Sequence, residues 1–93
     1  MTFEQFSESP VVPTGTSEPL QALWHGKQGD WDVAHELVQN LATPEAAWVH
    51  AWLHRQEGDN SNAAYWYALA GKTTPTKTLS EEWSHITRNL LFR

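Results

Sequence analysis

The sequence contains no cysteine, which excludes disulfide bonds and every form of thiol chemistry. A chain without cysteine is typical of a reducing compartment. Its first ten residues, MTFEQFSESP, hold neither the basic segment nor the apolar run of a secretory signal. Further along, no apolar stretch approaches the roughly 18 residues that a membrane span requires. We therefore expect a soluble, cytoplasmic protein that does not associate with a membrane.

Basic residues are also scarce. The chain has 6 Lys and Arg against 11 Asp and Glu, and its formal net charge is −5. The basic residues are scattered, whereas nucleic-acid binding requires Lys and Arg clustered on one face. We therefore expect no nucleic-acid partner.

Tryptophan, by contrast, is abundant, with 6 residues in a chain of 93. Each Trp side chain can bury about 150–250 Å² of surface. A few such large side chains, held between small ones such as Ala and Gly, can form a core in a chain of this length. We expect one domain.

Two stretches of the chain repeat a pattern, since residues 22–44 align with residues 51–75. The matched positions are Ala22 and Ala51, His25 and His54, Gly29-Asp30 and Gly58-Asp59, Ala34 and Ala63, and Pro44 and Pro75. A repeat of this length corresponds to one helical hairpin, which cannot bury its apolar face alone and must stack on a neighbour. The sequence therefore predicts an all-α fold built on two antiparallel hairpins.

Capping residues and helix breakers predict about five helices in residues 19–93. The predicted helices run from Pro19 or Leu20 to Gln28, from Trp31 to Ala42, from Pro44 to Glu57, from Asn60 or Ser61 to Gly71, and from the capping pair Thr78 and Glu81 to about Leu91. The last helix has one apolar face, which is typical of a helix that caps the open end of a helical stack.

The N-terminal segment is different in composition. Residues 1–18 carry Pro10 and Pro13 among scattered Ser, Thr and Glu, which predicts an extended or disordered arm. Phe3 and Phe6 are the exception, because two aromatic residues three positions apart could form one helical turn that docks on the domain, or a binding anchor. We expect docking or disorder rather than an anchor.

The second repeat resembles a tetratricopeptide (TPR) unit in its order of small, aromatic and proline residues. The matching positions are Ala51, Gly58-Asp59, Ala63, Tyr67, Ala70 and Pro75, and the first repeat matches less fully, through Ala22, Gly29-Asp30, Trp31, Ala34, Val38, Leu41 and Pro44. The motif H-A-x-x-H-R-x-E-G-D-x-x-N-A-x-Y-W-Y is also similar to one in small uncharacterised TPR-like proteins. The resemblance implies a protein–protein interaction module that binds a peptide or protein partner, with a structural homo-oligomer, such as a homodimer, as the alternative.

The resemblance also implies a ligand-binding face, because Trp48 and Trp52 occupy positions whose TPR equivalents line the concave surface. Arg55 follows on that face, with Leu23 and Lys27 of the first repeat beside it. Two indoles and two cations would suit a peptide carboxylate or an acidic and aromatic segment. Two alternatives stay open: both Trp pack internally against the last helix, or both lie in a dimer interface.

His50 and His54 stand four positions apart, a spacing that can present two imidazoles to one metal ion. Adding His25 from the equivalent position of the first repeat gives the hypothesis of a three-His zinc site. The segment H-A-W-L-H, however, lacks the Glu of the zinc-protease motif H-E-x-x-H. We favour the interpretation that these His replace the Tyr and Leu of the family in the core, and we expect no metal ligand and no cofactor.

Polar residues accompany the His pair in the second repeat. The cluster consists of His50, His54, Glu57, Asn62 and Tyr65. The polar residues near the turn at Gly58-Asp59 are predicted to cap helices and to form local hydrogen bonds. A catalytic interpretation would use His54 as a base and Glu57 as an acid. Because the sequence supplies neither a nucleophile nor a phosphate-binding loop, we expect no enzyme.

Overall fold

The computed structural model describes residues 1–92, and all regular secondary structure in that range is α-helical. The helices are α1 (Phe3–Glu8), α2 (Glu18–Lys27), α3 (Trp31–Val38), α4 (Pro44–Gln56), α5 (Asn60–Ala70) and α6 (Leu79–Leu91). The predicted all-α class is confirmed, with six helices rather than about five, because α1 forms within the predicted arm. None of the helices in residues 1–92 combines the length and apolarity needed to cross a membrane.

Local sequence signals begin two of the helices where the sequence predicts them. Thr43 caps α4 by accepting a hydrogen bond from the Ala46 amide, and Pro44 occupies the first turn of the helix. At the start of α6, Thr78 and Glu81 form the expected capping box, in which each side chain accepts the other residue's backbone N–H.

Helix α3 begins at the predicted residue, Trp31, but ends earlier than predicted. Asp30 precedes it without a side-chain capping bond, and the helix ends at Val38 instead of continuing to Ala42. Pro44 sets the outer limit of the helix, because it disfavours helical conformation at Thr43, the residue before it. The chain therefore leaves the helix before Thr43, which adopts extended backbone angles.

Helix α4 lies at the centre of the molecule. Helices α2 and α3 pack as one pair and α4 and α5 as a second, and α4 also contacts α2, α3 and α6. Gly29 and Gly58 end the first helix of each pair with positive φ angles of 91° and 87°, a region that glycine adopts without steric cost. Every residue from Ala46 to His54 is buried, as expected for a helix covered on all sides.

A glycine allows α2 to approach α4 closely. A Cβ atom at Gly26 would lie 2.8 Å from Cζ3 of Trp52, closer than side chains tolerate. The Gly26 carbonyl also accepts a hydrogen bond of 2.9 Å from the Gln56 side-chain amide. The two helix pairs are thus fixed against each other.

Helix α6 covers α2 and α4, and α1 packs on α6. Trp83 anchors this layer, because its Nε1 donates to the Leu23 carbonyl at 2.7 Å. The rings of Phe3 and Phe6 lie 6.0 and 5.9 Å from the Trp83 ring, and Phe6 is fully buried. Residues 3–8 are therefore neither extended nor disordered. They form the helical turn docked on the domain, which was one of the alternatives for this segment. The packing of both rings on α6 stabilises it.

Candidate functional site

The residues predicted to bind a partner face α6 instead of lining an open groove. Trp48 and Trp52 are only 4% and 3% exposed, and Leu23 is fully buried. The Nε1 of Trp52 donates to the Leu79 carbonyl at 3.0 Å. This corrects the prediction of an open groove. The Trp residues pack internally, as one of the alternatives proposed, because the apolar face of α6 covers them.

The two cations of the predicted face are engaged in the same layer. Arg55 Nη1 donates to Oε1 of Glu82 at 2.9 Å, and Nη2 donates to the Lys77 carbonyl. The ammonium of Lys27 lies 4.4 Å from the ring centre of Trp83, within the range of a cation–π contact. Both cations thus help to hold α6 and the loop before it.

Glu82 joins three helices through a buried polar network. Its side chain is 2% exposed, and its Oε1 and Oε2 lie 2.7 and 2.6 Å from the Tyr67 hydroxyl oxygen and share the one hydrogen that this hydroxyl donates. Oε1 also accepts a hydrogen bond from Arg55. Burial raises the pKa of the Tyr67 hydroxyl, and its hydrogen bond to Glu82 raises it further. The hydroxyl therefore stays protonated and acts as a donor that links α5 to α6.

The turn between α4 and α5 is held by local hydrogen bonds, as expected. Asp59 caps α5 by accepting from the backbone amide of Asn62 at 3.3 Å and from its side-chain amide at 3.4 Å. Glu57 accepts a hydrogen bond of 2.8 Å from Nδ1 of His54. Tyr65 lies apart from this turn and is 59% exposed. The predicted polar cluster is therefore divided: Glu57 and Asn62 lie at the turn, whereas Tyr65 lies away from it.

Three His side chains meet where α3 packs against α4. His35 comes from α3, and His50 and His54 come from successive turns of α4. One nitrogen of each ring lies within 4.8 Å of the corresponding nitrogens of the others. The three-His hypothesis placed His25 here, but that residue lies on α2, with Nδ1 4.0 Å from Oδ2 of Asp30. His35 takes its place, because α3 rather than α2 covers this side of α4.

Two indoles hold the rings of this His cluster. Trp31 stacks on His35 with ring centres 4.7 Å apart and an angle of 11° between the planes. Trp66 stacks on His50 at 3.8 Å and 14°. Trp31 is itself fixed, since its Nε1 donates to the Leu53 carbonyl at 2.7 Å. The stacks restrict rotation of the imidazoles and fix the directions in which their nitrogens point.

Burial favours the neutral form of His50 and His35. Burial lowers the pKa of His50 to about 4, and the neighbouring His35 and His54 contribute smaller decreases. Burial also lowers the pKa of His35, and His54 lowers it further. Both rings therefore carry a free nitrogen lone pair at neutral pH. In addition, Nδ1 of His50 is buried without a hydrogen-bond partner.

An apolar surface lies beside this cluster on α5, whose 11 residues include no charged side chain. Tyr65 and Leu69 are 59% and 53% exposed. Next to them is a cleft of about 400 Å³, whose lining includes Leu41, Pro44, Ala47, Trp66 and Leu69. We refer to Tyr65, Leu69 and this cleft as the α5 surface. Trp66 borders both the α5 surface and the His cluster.

The sequence did not lead us to His35 as a member of the His cluster or to the α5 surface, although each corresponds to a pattern that is visible in the sequence. Trp31 and His35 stand four positions apart on a helix, the same spacing as His50 and His54. The absence of charge from residues 60–70 is also readable directly. What the sequence did not reveal is which helices cover which, and this decides whether an aromatic residue is core or surface.

The chain matches no known protein-family model, no curated protein and no solved structure. Its function is therefore argued from the geometry of its sites. Two features enter that argument: the α5 surface and the His cluster.

Proposed function

We propose that this chain is a TPR-like interaction module that binds an apolar segment of a partner protein on the α5 surface. The observation that carries the proposal is the exposure of Tyr65 and Leu69 on a helix without any charged side chain. Apolar surface next to a cleft is a common mark of an interaction site in soluble proteins. Leaving such surface in water contributes nothing to folding.

The helix pairing supports the TPR-like part of the proposal. The two copies of the sequence repeat cover corresponding parts of the two pairs, the later part of α2 with α3 and the later part of α4 with α5. Helix α6 covers the first helix of each pair, where the resemblance implied a ligand. With that side covered, the outer side of α5 is the better candidate for binding.

The shape and charge of the surface indicate the partner. Leu41, Pro44, Ala47 and Trp66 line a concave cleft, which suits an inserted aliphatic or aromatic side chain. Two copies of a chain with a net charge of −5 repel each other over long range. We therefore propose a partner of different sequence, in which basic residues flank the apolar side chains that enter the cleft.

Capture from native lysate tests the proposal, with the wild type compared with Leu69→Glu. The matched control is Val11→Glu, which introduces the same charge at an apolar residue that is 65% exposed between α1 and α2. We expect one partner to be retained by the wild type and by Val11→Glu and lost by Leu69→Glu. The purified partner should then bind Leu69→Glu at least about tenfold more weakly, a loss of about 1.4 kcal/mol.

Two results would contradict the proposal. One is equal affinity of the purified partner for Leu69→Glu and the wild type. The other is a stable wild-type dimer in analytical ultracentrifugation that Leu69→Glu dissociates, because the α5 surface would then hold a second copy of the chain.

A further inference from the structure

We propose that His35, His50 and His54 bind a divalent transition-metal ion at the junction of α3 and α4. The site would lie beside the α5 surface but is independent of it. Metal binding and partner binding are measured separately, so either proposal can fail alone.

The positions of the nitrogens carry the proposal. Ligand nitrogens about 2.0–2.1 Å from a tetrahedral zinc ion lie roughly 3.4 Å from one another. In this structure one nitrogen of each His already lies within 4.8 Å of the others. Small side-chain movements would therefore close the three rings around an ion. His50 and His54 project from the same side of α4, since residues four apart in a helix share a face, and His35 approaches from α3.

Two of the rings are also ordered in advance. The stacks with Trp31 and Trp66 restrict the rings of His35 and His50. Little further ordering would therefore oppose binding.

Glu57 supplies the outer contact that metal-binding His residues usually have. Its Oε2 accepts the hydrogen bond from Nδ1 of His54 at 2.8 Å. This bond fixes the tautomer and leaves Nε2 of His54 free to coordinate the ion. Glu57 is therefore a positioning residue in this proposal and does not contact the ion itself.

An independent observation points to a missing partner in the same place. His50 is 3% exposed, and its Nδ1 forms no hydrogen bond. A buried polar atom without a partner is costly and uncommon. Coordination of an ion through Nδ1 would supply the missing interaction.

The surrounding charges and the ligand type identify the class of ion. The negative charges of Asp32, Glu36 and Glu57 act to raise the pKa of His35, so they favour a positive charge near this ring. Three imidazoles suit Zn²⁺, Co²⁺, Ni²⁺ or Cu²⁺, whereas Mg²⁺ and Ca²⁺ prefer oxygen ligands. Three protein ligands leave the fourth position of a tetrahedral ion to water.

Titration of tag-free, chelator-treated protein with Co²⁺, followed by competition with Zn²⁺, tests the site. The visible absorption of Co²⁺ reports tetrahedral coordination. We expect one ion per chain in the wild type and no saturable binding in His35→Ala. The matched control His85→Ala removes an exposed His on α6 and should bind as the wild type does. Circular dichroism establishes that both variants are folded.

Two further variants identify the ligands. Glu57→Gln should weaken binding about 10–100-fold, the usual cost of losing an outer-shell partner. Asp59→Asn should bind normally, because Asp59 belongs to a second possible group, with His54 and Glu57, that the proposal does not use. The proposal is overturned if the wild type binds neither ion, if His35→Ala binds as tightly as the wild type, or if Asp59→Asn abolishes binding.

Discussion

The two sides of α4 differ in how completely their polar atoms are hydrogen-bonded and their apolar side chains are buried. On the side that faces α6, Trp52 and Arg55 form hydrogen bonds to α6 and to the loop before it, and Glu82 joins Arg55 to α5. On the side that faces α3 and α5, Nδ1 of His50 has no hydrogen-bond partner and Leu69 is exposed to water. We infer that the α6 side of α4 stabilises the fold, while the α5 surface and the His cluster, for which binding is proposed, lie on the α3/α5 side.

Whether a large aromatic residue of this chain is core or surface depends on which helices cover it. Trp48, Trp52 and Trp66 all belong to the second helix pair, yet the first two are buried and Trp66 borders an open cleft. What separates them is the presence of another helix: α6 covers the first two. Residue type alone therefore does not separate a core position from a binding position.

The largest expected effect is on the α6 side. Glu82→Ala removes the carboxylate partner of Arg55, whose side chain is 21% exposed, and leaves the buried Tyr67 hydroxyl without an acceptor, which together should lower the free energy of unfolding by about 3–5 kcal/mol. The control Glu36→Ala changes an exposed residue of α3 and should stay within about 0.5 kcal/mol of the wild type. Denaturant unfolding measures both. A loss under about 1 kcal/mol in Glu82→Ala would show that the α6 side does not depend on this network.

A smaller effect, on the other side, should appear with pH. The pKa of His50 is lowered from 6.5 to about 4 in the folded state. Between those values the unfolded chain binds more protons than the folded one, so stability should be complete above pH 6.5 and decline as pH falls toward 4. At about 1.4 kcal/mol for each pKa unit, the loss amounts to about 3 kcal/mol.

Unfolding measured in chelator from pH 7.5 to 4 tests this dependence on the metal-free protein. His50→Gln should lose the part of the pH dependence that belongs to His50, whereas the matched control His85→Gln should keep it. Free energies of unfolding that are flat from pH 7.5 to 5 in the wild type would mean that the fold does not hold His50 neutral.

The smallest expected effect is on stability at the α5 surface. Because Leu69 is 53% exposed, Leu69→Glu should change the free energy of unfolding by no more than about 0.5 kcal/mol. The same variant is expected to lose the partner. A destabilisation of about 2 kcal/mol or more, measured by denaturant unfolding, would instead make this residue part of the core.

The sequence predicted the features that depend on neighbouring residues. The starts of α4 and α6 follow from Thr43-Pro44 and from the capping pair Thr78 and Glu81, which act within one turn. Features that depend on distant contacts escaped prediction. Residues 3–8 begin with a local signal, the capping box of Thr2 and Gln5, but their docking depends on aromatic rings that pack on Trp83, a contact between opposite ends of the chain.

The His cluster was predicted in part for the same reason. His50 and His54 were found because their spacing on one helix is visible in the sequence. The third ring was assigned to His25 by aligning the two repeats, and alignment gives equivalent positions rather than neighbouring ones. His35 joins the cluster because α3 packs on that side of α4.

Calorimetric titration of the metal-free protein with Zn²⁺ tests most directly whether the α3/α5 side of α4 carries a function. We expect one ion bound for each wild-type chain, none for His35→Ala, and unchanged binding for His85→Ala. A wild-type chain that takes up no zinc, or zinc bound equally well by His35→Ala, would rule out the metal site.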